Sequence, residues 1–378
     1  MNIRSSMTMK YLQSLALGLA LLLLLPSGQL EAQSYDFTPV TRLLSDSVEA
    51  ASGLGKGYGM ILMQEDVVIY EQNFGESHDL DRVVPIASAS KWLSGATIMT
   101  LVDDGLLSLD DTLGRWWPDA PVEKRGITIR QLFSHTAGWE DSEIHNDRGL
   151  TMKVSADSIV HTLPLEIPAG SGFTYGGVSM QVAGRIAELV TGQSWSDLFA
   201  ERITTPLGMT KTFFGPFGTE NPQVAGSGRS SGRDYLLFLQ MIARGGTNEK
   251  GERVLSRRAI DTMLADQTGG APIVSSPQTR YGYIDPLIAV GDGYGIGLWR
   301  ETMASNRTRR PDYTSPGAFG FAGWIDRERR LIGVFSVLSD LPNTAPTFFE
   351  AKRLIREVVD GTTSVEETTP AAALLDIE

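Results

Sequence analysis

Ser88-Ala89-Ser90-Lys91 opens a run in which Trp92, Leu93, Ile98, Met99, Leu101 and Val102 leave almost no polar face. Apolar nearly all round is the pattern of a core helix. The spacing predicts Ser88 and Lys91 on one face, in what reads as the first turn of that helix. A serine hydroxyl is a weak nucleophile until a base removes its proton. A lysine in a dry pocket can be that base, because burial disfavours its charged form. Free backbone N–H groups and the positive end of the helix suit the oxyanion of acyl transfer. The same residues also read as an N-cap serine followed by a solvated lysine, and so short a motif recurs by chance. The surrounding chain has to decide.

On the N-terminal side, Thr38-Pro39 reads as N-cap and first helical position, with an apolar stripe through Val40, Leu43, Leu44 and Val48 and a stop at Gly53. Tyr58 to Met63 and Val67 to Phe74 flank Gln64-Glu65-Asp66, a hairpin signal. On the C-terminal side, Asp103-Asp104-Gly105 closes the helix, although acidic residues in a last turn oppose the helix dipole. From Leu106 to about Asp285 the pattern is short helices joined by Gly- and Pro-containing loops. Val178 to Val190 stops at Gly192, and Tyr235 to Ala243 stops at Gly245-Gly246. Strand signals return at Tyr294 to Trp299, Phe319 to Ile325 and Leu331 to Leu338, before an amphipathic helix over Phe348 to Val359. Strands at both ends and helices between them predict an α+β fold. An antiparallel β-sheet flanked by helices is formed by the N- and C-terminal segments, and a mostly helical lobe is inserted. The expected α/β lobe covers about 33–105 and 286–360, and the helical lobe about 106–285.

The 378 residues are 42% hydrophobic and 21% charged, an ordinary globular composition. Arg4 and Lys10, the apolar run Leu15 to Leu25, the break at Pro26-Ser27-Gly28 and the alanine of Leu30-Glu31-Ala32 make residues 1–32 a signal peptide in pattern. The run is short for a membrane span. The expectation is therefore a periplasmic or secreted protein with no stable membrane anchor after cleavage. The segment 361–378, rich in Thr, Glu, Ala and Pro, reads as a disordered, solvated tail. The chain has no cysteine, which excludes a thiol nucleophile and thiolate metal sites. Net charge is −12; losing Arg4, Lys10 and Glu31 with the signal peptide would make it −13. Such acidity argues against nucleic acid as a partner.

Gly228-Arg229-Ser230-Ser231-Gly232 matches G-x-S-x-G, the nucleophile elbow of α/β-hydrolases, which requires a strand before it and a histidine after it. The residues before it read as loop, and His78, His135, His145 and His161 all precede it. It is expected to be a loop. The chain has no H-x-H or H-E-x-x-H pair; His135, His145 and the Glu140-Asp141-Glu143 run could cluster but read better as a solvated loop, so no metal and no cofactor are expected. The glycine-dense Gly291 to Gly297 opens a strand and does not read as a phosphate loop.

Several stretches, taken in order, carry a resemblance: Ser88-x-x-Lys91, Leu106-Leu107-Ser108-Leu109-Asp110-Asp111, Ile127-Thr128-Ile129-Arg130-Gln131-Leu132, His135-Thr136-Ala137-Gly138, Pro206-Leu207-Gly208-Met209 and Tyr294-Gly295-Ile296-Gly297-Leu298. From about Thr38 to Val359 the chain resembles the serine β-lactamase and penicillin-binding-protein superfamily, in its class C-like branch of esterases and D-amino-acid peptidases. The resemblance implies a β-lactamase/transpeptidase-like fold and a serine hydrolase forming an acyl-enzyme on Ser88, with Lys91 and Tyr175 handling protons. Tyr175-Gly176-Gly177 stands at the family's Y-x-N motif, with Gly177 in place of the asparagine that holds a substrate amide. Ser315-Pro316-Gly317 stands at its K-T-G or H-x-G motif. There Gly317 would let substrate approach the backbone, the Ala318 N–H would join that of Ser88 as oxyanion donor, and Ser315 replaces the usual cation or imidazole. Arg280 and Arg300 are other candidates for holding a substrate carboxylate.

The acyl-transfer groups are thus present while two groups that recognise β-lactams and D-Ala-D-Ala ends are missing. The expected substrate is a small ester, amide or peptide. The alternatives are a true β-lactamase or D-Ala-D-Ala carboxypeptidase, and a catalytically silent binding protein on the same fold.

Overall fold

Glu65 and Asp66 both take positive φ, 49° and 70°. That is the geometry a two-residue hairpin needs, and it joins β1 (Tyr58–Gln64) to β2 (Val67–Phe74). The computed structural model describes residues 35–48, 57–75, 78–215, 219–277, 288–289, 293–303 and 310–361. The signal segment, Arg280 and the tail beyond Gly361 lie outside the described residues.

The sheet runs β2-β1-β12-β11-β10-β9-β8, antiparallel throughout, with β8 (Ile288–Ala289), β9 (Trp299–Met303), β10 (Asp312–Thr314), β11 (Ala322–Asp326) and β12 (Leu331–Val337). Strand β12, near the end of the chain, pairs along its whole length with β1, from Tyr58 opposite Val337 to Gln64 opposite Leu331. The α+β fold with a sheet closed by both ends of the chain is therefore as expected. Helix α1 (Thr38–Asp46) and the last helix, α9 (Leu341–Asp360), pack together. On α9, Phe348 meets Trp324 and Phe335 of the sheet.

Between these ends lie α2 (Ser90–Asp103), α3 (Ile129–Phe133), α4 (Met152–His161), α5 (Val178–Thr191), α6 (Trp195–Phe199), α7 (Gly232–Ala243) and α8 (Arg257–Leu264). Every residue of α2 from Ser90 to Leu101 is buried, which explains its lack of a polar face. Its acidic end has a purpose beyond its own dipole. Asp103 accepts the Ser256 N–H and hydroxyl at the start of α8, and Asp104 ion-pairs with Arg202.

Several element boundaries differ from the sequence reading. Helix α1 ends at Asp46 with Ser47 as C-cap, short of Gly53. Gly228–Ser230 is a strand, β6, paired with β3 (Val84–Pro85) and β5 (Phe213–Phe214), and α7 follows it directly. The G-x-S-x-G segment is thus no loop. Tyr294 to Leu298 is not a strand: Gly95 of α2 backs onto the Ile296 carbonyl and Gly297 onto the Lys91 carbonyl, so this stretch lies against the helix and β9 starts at Trp299. Strand β11 starts at Ala322, because Gly320 at φ 85° closes a turn onto Gly317. Helix α9 starts at Leu341, with a proline in its first turn. Helix α7 lies on β1, β11 and β12, with Gly323 facing Tyr235.

Candidate active site

Ser88 lies in a 3-10 turn, Ala87–Ala89, and α2 begins only at Ser90. The expected place in the first helical turn is therefore shifted: the nucleophile candidate precedes the α-helix. Ala87 takes φ 45°, a conformation disfavoured for a residue with a Cβ. The neighbourhood holds it there. The Ile86 N–H donates to the Gly228 carbonyl at 3.0 Å. The Ser90 hydroxyl donates to the Ala87 carbonyl at 2.6 Å and accepts the Gly228 N–H at 2.9 Å. A Cβ on Gly228 would fall 2.5 Å from the Ser90 hydroxyl, so glycine is required there for packing.

Lys91 Nζ donates to the half-buried Ser88 hydroxyl at 3.0 Å and to the Ala225 carbonyl at 3.0 Å. Lys91 is 4% exposed. Burial pulls its pKa down to about 8, against a smaller upward pull from Asp141. The Tyr175 ring lies 4.7 Å from Nζ. Burial pushes the Tyr175 phenol well above its usual range, although hydrogen bonds to the Ser88 hydroxyl and the Trp299 indole N–H work the other way. The structure thus brings Ser88, Lys91 and Tyr175 together around one hydroxyl.

Tyr175 is held by an aromatic box that sequence reasoning did not list as site residues. Trp299 stacks on it at 5.2 Å, and Tyr294 and Phe173 complete a buried cluster. His135, expected like His145 in a solvated loop, is instead buried beside Tyr175. Its ring lies 4.5 Å from that of Tyr175, its carbonyl accepts the Thr174 N–H, and its Nδ1 accepts the Gly176 N–H at 3.5 Å. Burial, and then the charge of Lys91, holds this imidazole well below its usual pKa, so it is neutral. The turn His135 to Gly138 is therefore the scaffold on which the Tyr175 loop rests.

The Ser315 segment is docked against the Ser88 turn, with different contacts from those expected. The Ser315 hydroxyl donates to the Ser88 carbonyl at 3.0 Å. What lies close against Gly317 is the Ile86 carbonyl, so its lack of a side chain serves the protein's own packing. Ala318 is exposed beside it. His145, expected in a solvated loop, is 3% exposed and lies where a side chain on Gly177 would stand. Asp141 accepts the Gly177 N–H at 2.8 Å. Ser230 is fully buried and its hydroxyl is spent on Thr212 and the Ser231 carbonyl. It has strand and helix around it, as an elbow would, but none of the proton-transfer groups that surround Ser88.

The arrangement can remove a proton from Ser88 through Lys91 and return one through Tyr175. The family model described as Beta-lactamase matches residues 47–360. A lovastatin esterase from Penicillium rubens is 26% identical, over 83% of this chain and 96% of its own. A solved structure of a candidate beta-lactamase from Bacteroides dorei DSM 17855 is 29% identical, with a TM-score of 0.73 over 86% of this chain and 99% of that one. A family VIII carboxylesterase superposes with a TM-score of 0.62 at 18% identity, over 84% and 97% of the two chains, and shows the fold alone.

Proposed function

The chain belongs to the Beta-lactamase family of serine hydrolases, and from that premise we propose that it is an exported hydrolase of esters or amides acting through an acyl-enzyme on Ser88. The observation that carries the reading is the Ser88 hydroxyl placed 3.0 Å from a buried lysine, whose ammonium in turn lies 4.7 Å from the ring of a buried tyrosine. Opposed environments assign the roles. Lys91, pulled down to about 8, is the base that accepts the Ser88 proton as Oγ attacks the carbonyl carbon. Tyr175, pushed up, starts protonated and passes a proton to the departing alcohol or amine, with Lys91 resupplying it. The Ser88 and Ala318 N–H groups hold the oxyanion. A water then attacks the acyl-enzyme by the same relay in reverse, releasing the acid and free Ser88.

Ser315 offers no cation, and its hydroxyl is engaged by the Ser88 carbonyl. A desolvated substrate carboxylate would be left unpaired there, at a cost of several kcal/mol. Neutral esters are therefore the favoured substrates over β-lactams. Fluorophosphonate treatment followed by peptide mass spectrometry should place the adduct on Ser88, and p-nitrophenyl esters should be hydrolysed faster than nitrocefin. An adduct on Ser230 would overturn the assignment of the nucleophile. Faster hydrolysis of nitrocefin would return the chain to the true β-lactamases.

A further inference from the structure

Gly177 stands where the Y-x-N pattern carries an asparagine, and the space for that side chain is taken. A Cβ on Gly177 would collide with Nε2 of His145, and a Cβ on Gly176 would fall 2.8 Å from Oδ1 of Asp141. The same Oδ1 accepts the Gly177 N–H at 2.8 Å and lies 3.9 Å from His145 Nε2. His145 Nδ1 faces the Ser142 carbonyl. A carbonyl can only accept, so the ring proton sits on Nδ1 and Nε2 presents a lone pair. Burial favours this neutral form, against the pull of Asp141. Two acceptors therefore face each other beyond hydrogen-bond reach, with no proton to share. No lysine or arginine ion-pairs with Asp141 among the described residues, and its side chain is 37% exposed.

We propose that Asp141 and His145 form the acyl-side recognition subsite, in place of the missing asparagine, and that it selects acyl groups bearing a hydrogen-bond donor beside the reacting carbonyl, an ammonium above all. This rests on the reading of the chain as a Ser88 acyl-enzyme hydrolase. An asparagine amide offers N–H donors to a carbonyl on the substrate. A carboxylate and an imidazole lone pair reverse that demand. Charge-assisted hydrogen bonds to a carboxylate are stronger than neutral ones, so a free amine ranks above a hydroxyl. The substrate class is then esters or amides of amino acids with a free amine, followed by hydroxy acids. N-acylated amino acids, which place a carbonyl where a donor is wanted, are disfavoured.

The test follows hydrolysis of alanine methyl ester (both enantiomers), methyl propanoate and N-acetylalanine methyl ester by pH-stat near neutral pH. Alanine methyl ester should exceed methyl propanoate in kcat/KM by about tenfold more than the ratio of their hydroxide-catalysed rates, the worth of one charged hydrogen bond. Asp141→Asn should lower that ratio by about tenfold, leaving only the activation that the α-ammonium itself gives the carbonyl. Gly177→Asn alone should lower thermal stability, since the new side chain meets His145. Adding His145→Ala should restore it and move preference toward the N-acetyl ester. Calorimetry of alaninamide and propionamide on the Ser88→Ala variant needs no turnover. Equal affinities there would overturn the subsite whatever the kinetics. A retained alaninamide preference with no ester hydrolysed by the unmodified protein would support the subsite and overturn the hydrolase reading instead.

Discussion

Lys91 illustrates how one residue sets activity against stability. Its folded pKa, about 8, lies below the value of 10.5 that an unperturbed lysine has. Between those values the unfolded chain binds more protons, so stability rises with pH there, and the cost of burying the charge is fully present below about pH 8. Lys91→Met should therefore abolish turnover while raising stability near neutral pH by about 1–3 kcal/mol, read by urea unfolding. In the unmodified enzyme, kcat/KM should climb toward a plateau as pH passes about 8. A flat profile across that range would remove Lys91 from the role of base. Ser88, Lys91 and Tyr175 were legible in the sequence because two sit within one turn of each other and the third follows a recognisable pattern. Asp141, His145, His135 and Trp299 were not. They reach the site only through tertiary folding, and in the sequence Asp141 looks like one more acid in a polar run.

At the scale of elements, glycines fix how the pieces meet. Gly297 takes φ 85° and its Cα lies against the Lys91 carbonyl, so an alanine there would be both strained and in collision with backbone. Gly297→Ala should cost at least about 2–4 kcal/mol and lower kcat by displacing α2, although residue 297 has no place in the chemistry. Thermal melts and steady-state kinetics on the same variant check both; an unchanged melt would mean that the stretch is not seated on α2. The hairpin β1–β2 and helices α5 and α7 were readable because long apolar patterns ended in turn residues. The strand β6 was missed because three residues carry no periodicity, and its pairing with β3 is decided by distant sequence. The run around Gly295 and Gly297 imitated a strand because the demands of close packing against a helix also select glycine and apolar residues.

Across the whole molecule, the α+β plan was visible from where strands and helices cluster along the chain. The buried charges behind the sheet were not visible. Lys352 on α9 is 2% exposed and lies 3.0 Å from Asp312 and 3.6 Å from Glu301, with Arg356 pairing Asp312 and Asp326 nearby. Burial pushes the Glu301 carboxyl up, against the pull of Lys352. Removing one partner from such a set leaves uncompensated charge. Lys352→Ala should destabilise the protein by about 3–5 kcal/mol in urea unfolding, and Lys352→Met with Asp312→Asn and Glu301→Gln should recover much of that. A single variant as stable as the original would mean that the network is solvated.

The pairing of β1 with β12 also sets a timetable. The strand that flanks β1 on its inner side is almost the last part of the described chain to be synthesised. Until Leu331 to Val337 has emerged, β1 has only its hairpin partner, α7 has no complete sheet to cover, and the serine turn has no platform. Contacts that close so much sequence are slow to form. A polypeptide emerging from the ribosome would stay an open thread through most of its translation, and the serine turn would be the work of its last few dozen residues.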